Sequence, residues 1–369
     1  MTETADILVI GGGMAGIGAA ARVAPSAKVV VLEAEDQPGR HSTGRSAAIF
    51  IGNYGNATVR AANAASQGEL KNPPEDLAES SLLSPRGEML IATPDEIERF
   101  EQHMAGATET EEIHPDEAVR RFPILRRERI ARACYDSTAE DIDVDRLLQG
   151  YLRLLRRHGG RLVTDGRATQ VTRSNGVWRV ATLVGDFEAP VIVNAAGAWA
   201  DATAELAGLT RLGLTPLRRS AAILPAPEGY DVARWPAVCS MSETWYAKPE
   251  AGKLMVSPAD EDPVEPHDAW PDDMVLAEGL DRYEQAVTVP VTRVERSGAG
   301  LRTFAPDRTP VVGFDPAAEG FFWLAGQGGY GIQTAPALSR LAAALLQGDD
   351  GEAVLPLAAV TALAPARLR

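Results

Sequence analysis

Cysteine is nearly absent. The chain has 369 residues and only two cysteines, Cys134 and Cys239, at no spacing that suits a metal ion. That excludes a disulfide framework and fits a reducing compartment, so a cytoplasmic protein without a structural metal is expected. Long apolar runs are also missing. Gly, Pro or charge interrupts each one, and no membrane-spanning helix is expected. Residues 1–6 are acidic and pass straight into a strand pattern. They lack the basic-then-apolar order of a secretory signal. Positive charge is the minority: 36 Lys and Arg stand against 51 Asp and Glu, a net charge of −15. Such a surface repels nucleic acid and anionic membranes at long range, which removes both as expected partners. Histidine is scarce as well. Only His41 lies near a motif, so no general base can be named among His41, His103, His114, His158 and His267.

What is present is a βαβ pattern at the start. Asp6–Ile10 reads as a buried strand, Gly11–Gly16 as a turn, roughly residues 14–23 as an alanine-rich helix, and Lys28–Leu32 as a second buried strand ending at Glu33. Gly11, Gly13 and Gly16 match G-x-G-x-x-G in the context that motif requires. Gly11 permits the tight turn, Gly13 lets backbone approach a pyrophosphate, and Gly16 allows close helix–strand packing. Helix N–H groups then face the phosphates. Glu33 stands where a carboxylate accepts ribose hydroxyls and repels a 2′-phosphate, which argues against NADP.

Further along, residues 43–70 read as mostly helical from Ser42-Thr43 onward, interrupted at residues 51–55. Asp145–His158 has a clear helical period, and alternating strands follow up to Pro190–Asn194. Residues 216–300 alternate like an antiparallel sheet. Gly320–Ala325 reads as a strand, and a helix runs from about 333 to 346. No internal repeat is visible. The nucleotide-type pieces sit at the start, middle and end, with antiparallel pieces between them. The expected fold is therefore mixed α/β: a Rossmann-type domain from residues 1–50, 141–215 and 300–369, interleaved with an antiparallel α+β substrate domain from 51–140 and 216–299. A monomer or weak homo-oligomer is expected.

Four features favour FAD over NAD. Arg40–Ala48 is a hydroxyl- and arginine-rich turn directly after the second strand, suited to further phosphate and ribityl contacts. Val193–Trp199 is a strand ending in small residues, as needed beside a flat cofactor. Pro310–Gly313 precedes a C-terminal strand. Gly326–Thr334 offers a second glycine-rich helix start, whose dipole would stabilise negative charge on a reduced flavin. Neither cysteine lies in the C-terminal flavin segment, so the FAD is expected to be noncovalent.

These stretches resemble the D-amino-acid oxidase-like superfamily of FAD enzymes, and within it bacterial D-arginine dehydrogenases. The resemblance covers nearly the whole chain and rests on His41–Ala48, Leu82–Arg86 with Glu88-Met89, Asp141–Asp143, Gln149–Arg153, Asn194–Trp199, Arg218–Ala221, Ala299–Arg302 and Gln327–Thr334. It implies a glutathione-reductase/D-amino-acid oxidase type of fold. The implied cofactor contacts begin with Gly11, Gly13, Met14, Ala15 and Gly16, then Glu33 and Ala34. They continue with His41, Ser42, Thr43, Arg45, Ser46, Ala47 and Ala48. Ala168, Ala196, Gly197 and Trp199 follow, and last Gly328, Gly329, Tyr330, Gly331, Ile332 and Gln333. Toward substrate, the resemblance implies Arg219 and Arg302 near a carboxylate, Tyr54 and Tyr246 hydrogen-bonding it and closing the site, and Glu88 pairing with a cationic side chain. Gly329 and Gln333 would lie beside the flavin and the amino group.

The residues themselves leave alternatives open. A buried arginine such as Arg302 needs an anion, and an internal salt bridge serves as well as a substrate carboxylate. Glu88 alone reads as an edge charge at a strand start. Arg218 and Arg219 alternate to opposite faces, so one of them is structural or solvated. One departure from the D-arginine dehydrogenase pattern stands out. Ile49 replaces a histidine that positions substrate, and Ile49-Phe50-Ile51 is expected to form an apolar wall. The expected activity is oxidative deamination of a D-amino acid, cationic ones favoured, by hydride transfer from the α-carbon, with an electron acceptor the sequence does not identify. Oxidation of an N-alkyl amino acid is the competing activity, and a flavin-binding subunit with a silent site is the non-enzymatic alternative.

Overall fold

The computed structural model describes residues 2–369. Its centre is a six-stranded sheet in the order Arg161–Val163, Val29–Leu32, Ile7–Ile10, Val191–Asn194, Phe321–Ala325 and Val311–Phe314. All neighbours are parallel except the last pair. Every residue of Ile7–Ile10, Val29–Leu32 and Phe321–Ala325 is buried, because both faces of the sheet are covered. The period of two sorts the side chains. Ile7, Val9, Val29 and Val31 pack in one core cluster beneath the helices Met14–Val23, Val144–Arg157 and Ala335–Leu346. Leu8, Ile10, Val30 and Leu32 pack in another, against Trp178, Val180 and Phe187. Those three belong to a four-stranded sheet of Thr2–Thr4, Gly185–Ala189, Val177–Thr182 and Ala168–Ser174.

A nine-stranded sheet is built from Thr215–Leu224, Arg296–Phe304 and strands between residues 88 and 136 and between 237 and 263. One face packs Met89, Ile91, Val238, Ala247 and Val256 with Phe122, Leu276 and Tyr283. Register places the opposite side chains, among them Leu90, Cys239, Tyr246, Met255 and Arg219, on the other face.

Two local expectations need correction. Residues 43–70 are helical only in a short turn, Thr43–Arg45, and in the helix Ala57–Lys71. Between them Ile49–Phe50 pairs with Glu140–Ile142, and Ala48 takes a φ of 53°, which no helix continues through. The stretch 216–300 holds a 14-residue helix, Asp273–Ala286, as well as strands. Its signals are in the sequence: Asp272 caps Met274 and Val275 N–H groups, and Leu276, Gly279 and Tyr283 recur at helical spacing on the buried side.

Cys134 and Cys239 are both free thiols. Each pairs in register with Leu90, from opposite sides. One strand therefore separates them, about 10 Å across the sheet, beyond the reach of a disulfide. Among the described residues no helix is long and apolar enough to cross a membrane.

Candidate functional site

A cleft of about 880 Å³ runs from the βαβ turn to the polar face of the nine-stranded sheet. At the turn, Gly11 has a φ of +114°, and a Cβ there would lie 2.3 Å from the Ala195 carbonyl oxygen. A Cβ on Gly16 would lie 2.0 Å from the Gly11 carbonyl oxygen. Side chains at either position would push the first and central strands apart or unseat the helix. Glu33 is buried at the end of its strand. Its carboxylate accepts the Gly12 N–H at 2.7 Å and the Glu35 N–H at 2.9 Å. Burial raises the Glu33 carboxyl, and those two hydrogen bonds oppose the rise. The acid thus shapes the turn as well as facing the cleft.

The loop 39–48 forms one wall. Thr43 Oγ1 accepts the Met14 N–H at 3.0 Å. Ser42 Oγ donates to the Leu301 carbonyl at 2.7 Å. Arg45 pairs with Asp268 and donates to the Ala269 and Ala299 carbonyls, each at 3.0 Å. His41 lies 3.0 Å from Glu35 and meets Trp199 at a tilt, with ring centroids 4.8 Å apart. Ser42 and Arg45 line the cleft, yet their polar groups are engaged across the interior by protein, which the sequence reading did not foresee. Lys248, only 4% exposed, donates to the Ala47 carbonyl at 2.7 Å and pairs with Asp141 at 3.0 Å. It anchors the same loop from the nine-stranded sheet.

Most sequence-derived cofactor positions line this cleft: Gly11, Gly13, Met14, Ala15, Glu33 and Ala34 at the turn, His41, Ser42, Thr43, Arg45, Ser46 and Ala47 along the loop, Ala168, Ala196, Gly197 and Trp199 opposite, and Gly328, Gly329, Gly331 and Ile332 at the far end. Gly16, Ala48, Tyr330 and Gln333 do not. Gly16 is packed beneath the turn. Ala48 faces a second cavity of about 810 Å³ on the other side of the loop. Gln333 is buried and committed to the segment 51–63. It accepts the Ile51 N–H at 3.2 Å and donates to Asn63 Oδ1 at 2.8 Å. Segments 296–303 and 268–270 also line the cleft, and sequence reading missed both except for Arg302.

At the far end, Arg302, Arg219 and Tyr246 line the cleft. Arg302 pairs in register with Leu217, and Arg219 with Gly300, so the two arginines are diagonal neighbours on one face. Arg302 Nη1 donates a long hydrogen bond of 3.5 Å to the Tyr54 hydroxyl. Gly329 lies beside it, and a Cβ there would be 3.1 Å from Nη1. Burial alone would lower the Arg302 pKa; the Tyr54 and Tyr246 phenols and the Glu261 carboxylate outweigh it and raise it. Tyr54 meets Tyr330 edge-on at 5.0 Å.

Glu88 does not line the cleft, but shares its sheet face, two strands beyond Tyr246 past Cys239. Burial pushes its carboxyl up to about 8, with Asp136 and Glu243 adding repulsion. The apolar wall expected at 49–51 does not form. Phe50 turns into the helix-side core, and none of the three residues lines the cleft, because the short strand they start pairs sideways with 140–142.

Two buried polar atoms in the cleft lining, Gln327 Nε2 and Thr303 Oγ1, have no hydrogen-bond partner. Buried polar groups are rarely left so. With the close-approach turn and Glu33, they fit a polar ligand lying along the cleft from the turn to the 326–331 loop. The fold and cleft together are those of a FAD-binding oxidoreductase. The chain belongs to the DAO family of FAD dependent oxidoreductases, whose profile matches residues 6–345. Human mitochondrial dimethylglycine dehydrogenase is 24% identical over 356 residues, 89% of this chain and 41% of that protein. The chain thus spans less than half of that relative's length. FAD-dependent oxidoreductase domain-containing protein 1 of Bos taurus is 25% identical, over 93% of this chain and 81% of that protein. Glycine oxidase from Geobacillus kaustophilus superposes with a TM-score of 0.83 at 20% identity, covering 94% of this chain and 96% of that one. L-proline dehydrogenase from P. horikoshii gives 0.83 at 20%, covering 100% and 98%. At these identities the likeness to solved structures is one of fold. The comparisons carry the family and do not single out the D-arginine dehydrogenase branch that the motifs resemble.

FAD is the cofactor of this family, and the cleft residues named above would hold it. Glu33→Ala removes an acceptor and two hydrogen bonds to the turn. It is expected to weaken FAD retention about tenfold, on the scale of one charge-assisted hydrogen bond. Equilibrium dialysis of reconstituted protein measures this, and wild-type retention would move the adenosine end elsewhere.

Proposed function

We propose that the protein oxidises an amino acid at its α-carbon, favouring D-amino acids with a cationic side chain. The observation that carries this reading is a cation and an acid, neither in a salt bridge, on one face of the nine-stranded sheet, Arg302 on one side of Tyr246 and Glu88 on the other. Arg302 is half-buried, with only a long hydrogen bond to Tyr54, at the cleft end that adjoins the 326–331 turn. Glu88 sits two strands past Tyr246, roughly 10 Å across the sheet, and no cation is paired with it. A substrate carboxylate on Arg302 and a cationic group near Glu88 satisfy both.

In the reaction the α-C–H bond breaks, its electron pair leaves as hydride, and the amine lone pair forms the C=N bond of an imino acid, which water hydrolyses to a 2-oxo acid and ammonia. FAD, when bound, supplies the two-electron acceptor. The chain's own work is orientation: Arg302 and Tyr54 fix the carboxylate, Tyr246 closes beside it, and the sheet face directs the side chain away from the cofactor cleft. A second reading, oxidation of an N-alkyl amino acid, draws support from the name of dimethylglycine dehydrogenase among the relatives.

An anaerobic screen of flavin bleaching over D-amino acids, sarcosine, dimethylglycine and proline separates the two. Bleaching by D-arginine or D-lysine at rates above all N-alkyl substrates is expected; the reverse order would replace the proposal with the second reading. The acid also predicts a pH dependence. Glu88 is neutral below about 8 and charged above it. The ratio of specificity constants for D-arginine over D-methionine should therefore rise with pH and level off past about 8, since α-amine ionisation is common to both. In Glu88→Gln the ratio should stay flat. A wild-type ratio already flat between pH 6 and 9, values bracketing that shift by about one to two units, would remove Glu88 from the site.

A further inference from the structure

Arg219 and Arg302 face the same cleft, yet the structure treats them differently. Arg219 Nε donates to the Asp260 carbonyl at 2.8 Å, and its Nη2 pairs with Glu261 at 3.0 Å. Glu261 is engaged from the other side too. Both terminal guanidinium nitrogens of Arg308 donate to it, at 3.0 and 2.9 Å. The Arg308 guanidinium carbon in turn lies over the Phe304 ring, 3.9 Å from its centroid. Phe304 meets Tyr330 edge-on at 5.9 Å, and Tyr330 meets Tyr54 at 5.0 Å. Tyr54 closes the circuit on Arg302. One acid thus sits among three arginines. Burial would raise its carboxyl, but Arg308, Arg219 and Arg302 hold it below the ordinary carboxylate range, so it stays charged.

We infer that Glu261 is a positioning residue that withholds Arg219 from the substrate carboxylate and, through Arg308, Phe304 and Tyr330, sets Tyr54 against Arg302. This rests on the carboxylate reading above and narrows it: one arginine, not two, receives the carboxylate. The physical argument is competition. Glu261 is a fixed carboxylate already within hydrogen-bond distance of Arg219, while a substrate carboxylate must arrive from water. Diagonal neighbours on adjacent strands are close enough for a released Arg219 to reach toward the anion on Arg302. A second cation would tighten ground-state binding while pulling the carboxylate off the line that Arg302 and Tyr54 define. Tighter binding with slower turnover follows.

Acetate serves as the probe, its affinity read from the perturbation of flavin absorbance in the holoenzyme. Arg219→Met in the otherwise native protein should leave acetate affinity within about threefold of wild type. Glu261→Gln should bind acetate about tenfold more tightly. Adding Arg219→Met to Glu261→Gln should abolish that gain. For the amino acid substrate, Glu261→Gln should lower KM and kcat together, and Glu261→Asp should restore the wild-type split. Unchanged or weaker acetate binding in Glu261→Gln overturns the inference. So does a tenfold loss on Arg219→Met alone, which needs no change at Glu261 and holds even where Glu261→Gln fails to fold. Arg302→Met separates the two levels of argument. If it keeps full acetate affinity, the carboxylate reading itself fails; if it loses acetate while Glu261→Gln gains nothing, only the role of Glu261 fails.

Discussion

Arg302→Met should reduce kcat/KM for amino acids by roughly 150-fold or more, the equivalent of about 3 kcal/mol for a charge-assisted, desolvated pair, with FAD still bound. Methionine fills much of the same volume, so the nine-stranded sheet is expected to keep its register with Thr215–Leu224. The loss has two sources. The carboxylate loses its bidentate partner, and the α-C–H bond is no longer held in line for hydride departure. Tyr54 also loses its hydrogen bond to Arg302. Steady-state kinetics beside the flavin spectrum check this. Wild-type kinetics with full FAD content would make Arg302 a purely structural cation, satisfied by Tyr54, Tyr246 and Glu261.

Glu88→Leu should invert side-chain preference. In the native protein the carboxyl stands among Asp136, Glu243 and two thiols, with no paired cation. A cationic side chain relieves that repulsion, and a neutral one does not. Leucine removes the charge outright, so above about pH 8, where the native carboxyl is ionised, the ratio of kcat/KM for D-arginine over D-leucine should fall by about 100-fold, the equivalent of about 2.8 kcal/mol. D-leucine and D-methionine activity should hold or improve. The mutant should also be more stable than wild type as pH rises. A carboxyl raised from 4.5 to about 8 binds its proton more tightly in the fold than in the unfolded chain, so its contribution to stability is lost as pH climbs through about 8. Thermal melts at pH 6 and pH 9 read this directly. A specificity ratio that does not fall would place the recognised side chain elsewhere in the site.

The first βαβ unit was legible because its signals are local. Short runs of Val, Ile and Leu closed by glycine or an acid read as buried strands, and Gly11, Gly16 and Glu33 all lie within one βαβ unit. The helix Asp273–Ala286 was equally local and was missed, since its Asp272 cap lies in a stretch whose alternation suggested sheet. The wall at 49–51 was misread for a different reason. Its direction depends on pairing with residues 140–142, some ninety positions away, and no local pattern reveals which face a two-residue strand turns inward.

The sequence by itself determined the class of protein. Glycine spacing, the acid at the end of the second strand and the buried β-branched runs specify a dinucleotide cleft wherever the rest of the chain goes, because each works through backbone geometry next to it. Only the tertiary structure decided which charges in and around that cleft are spoken for. Arg45 is held by Asp268 and by Ala269 and Ala299, Lys248 by Ala47 and Asp141, and Arg219 by Asp260 and Glu261. Arg302 and Glu88 are left without such partners. Those pairings join residues from about 40 to more than 250 positions apart, and charge recognition depends on what lies within a few ångströms, which chain order does not record.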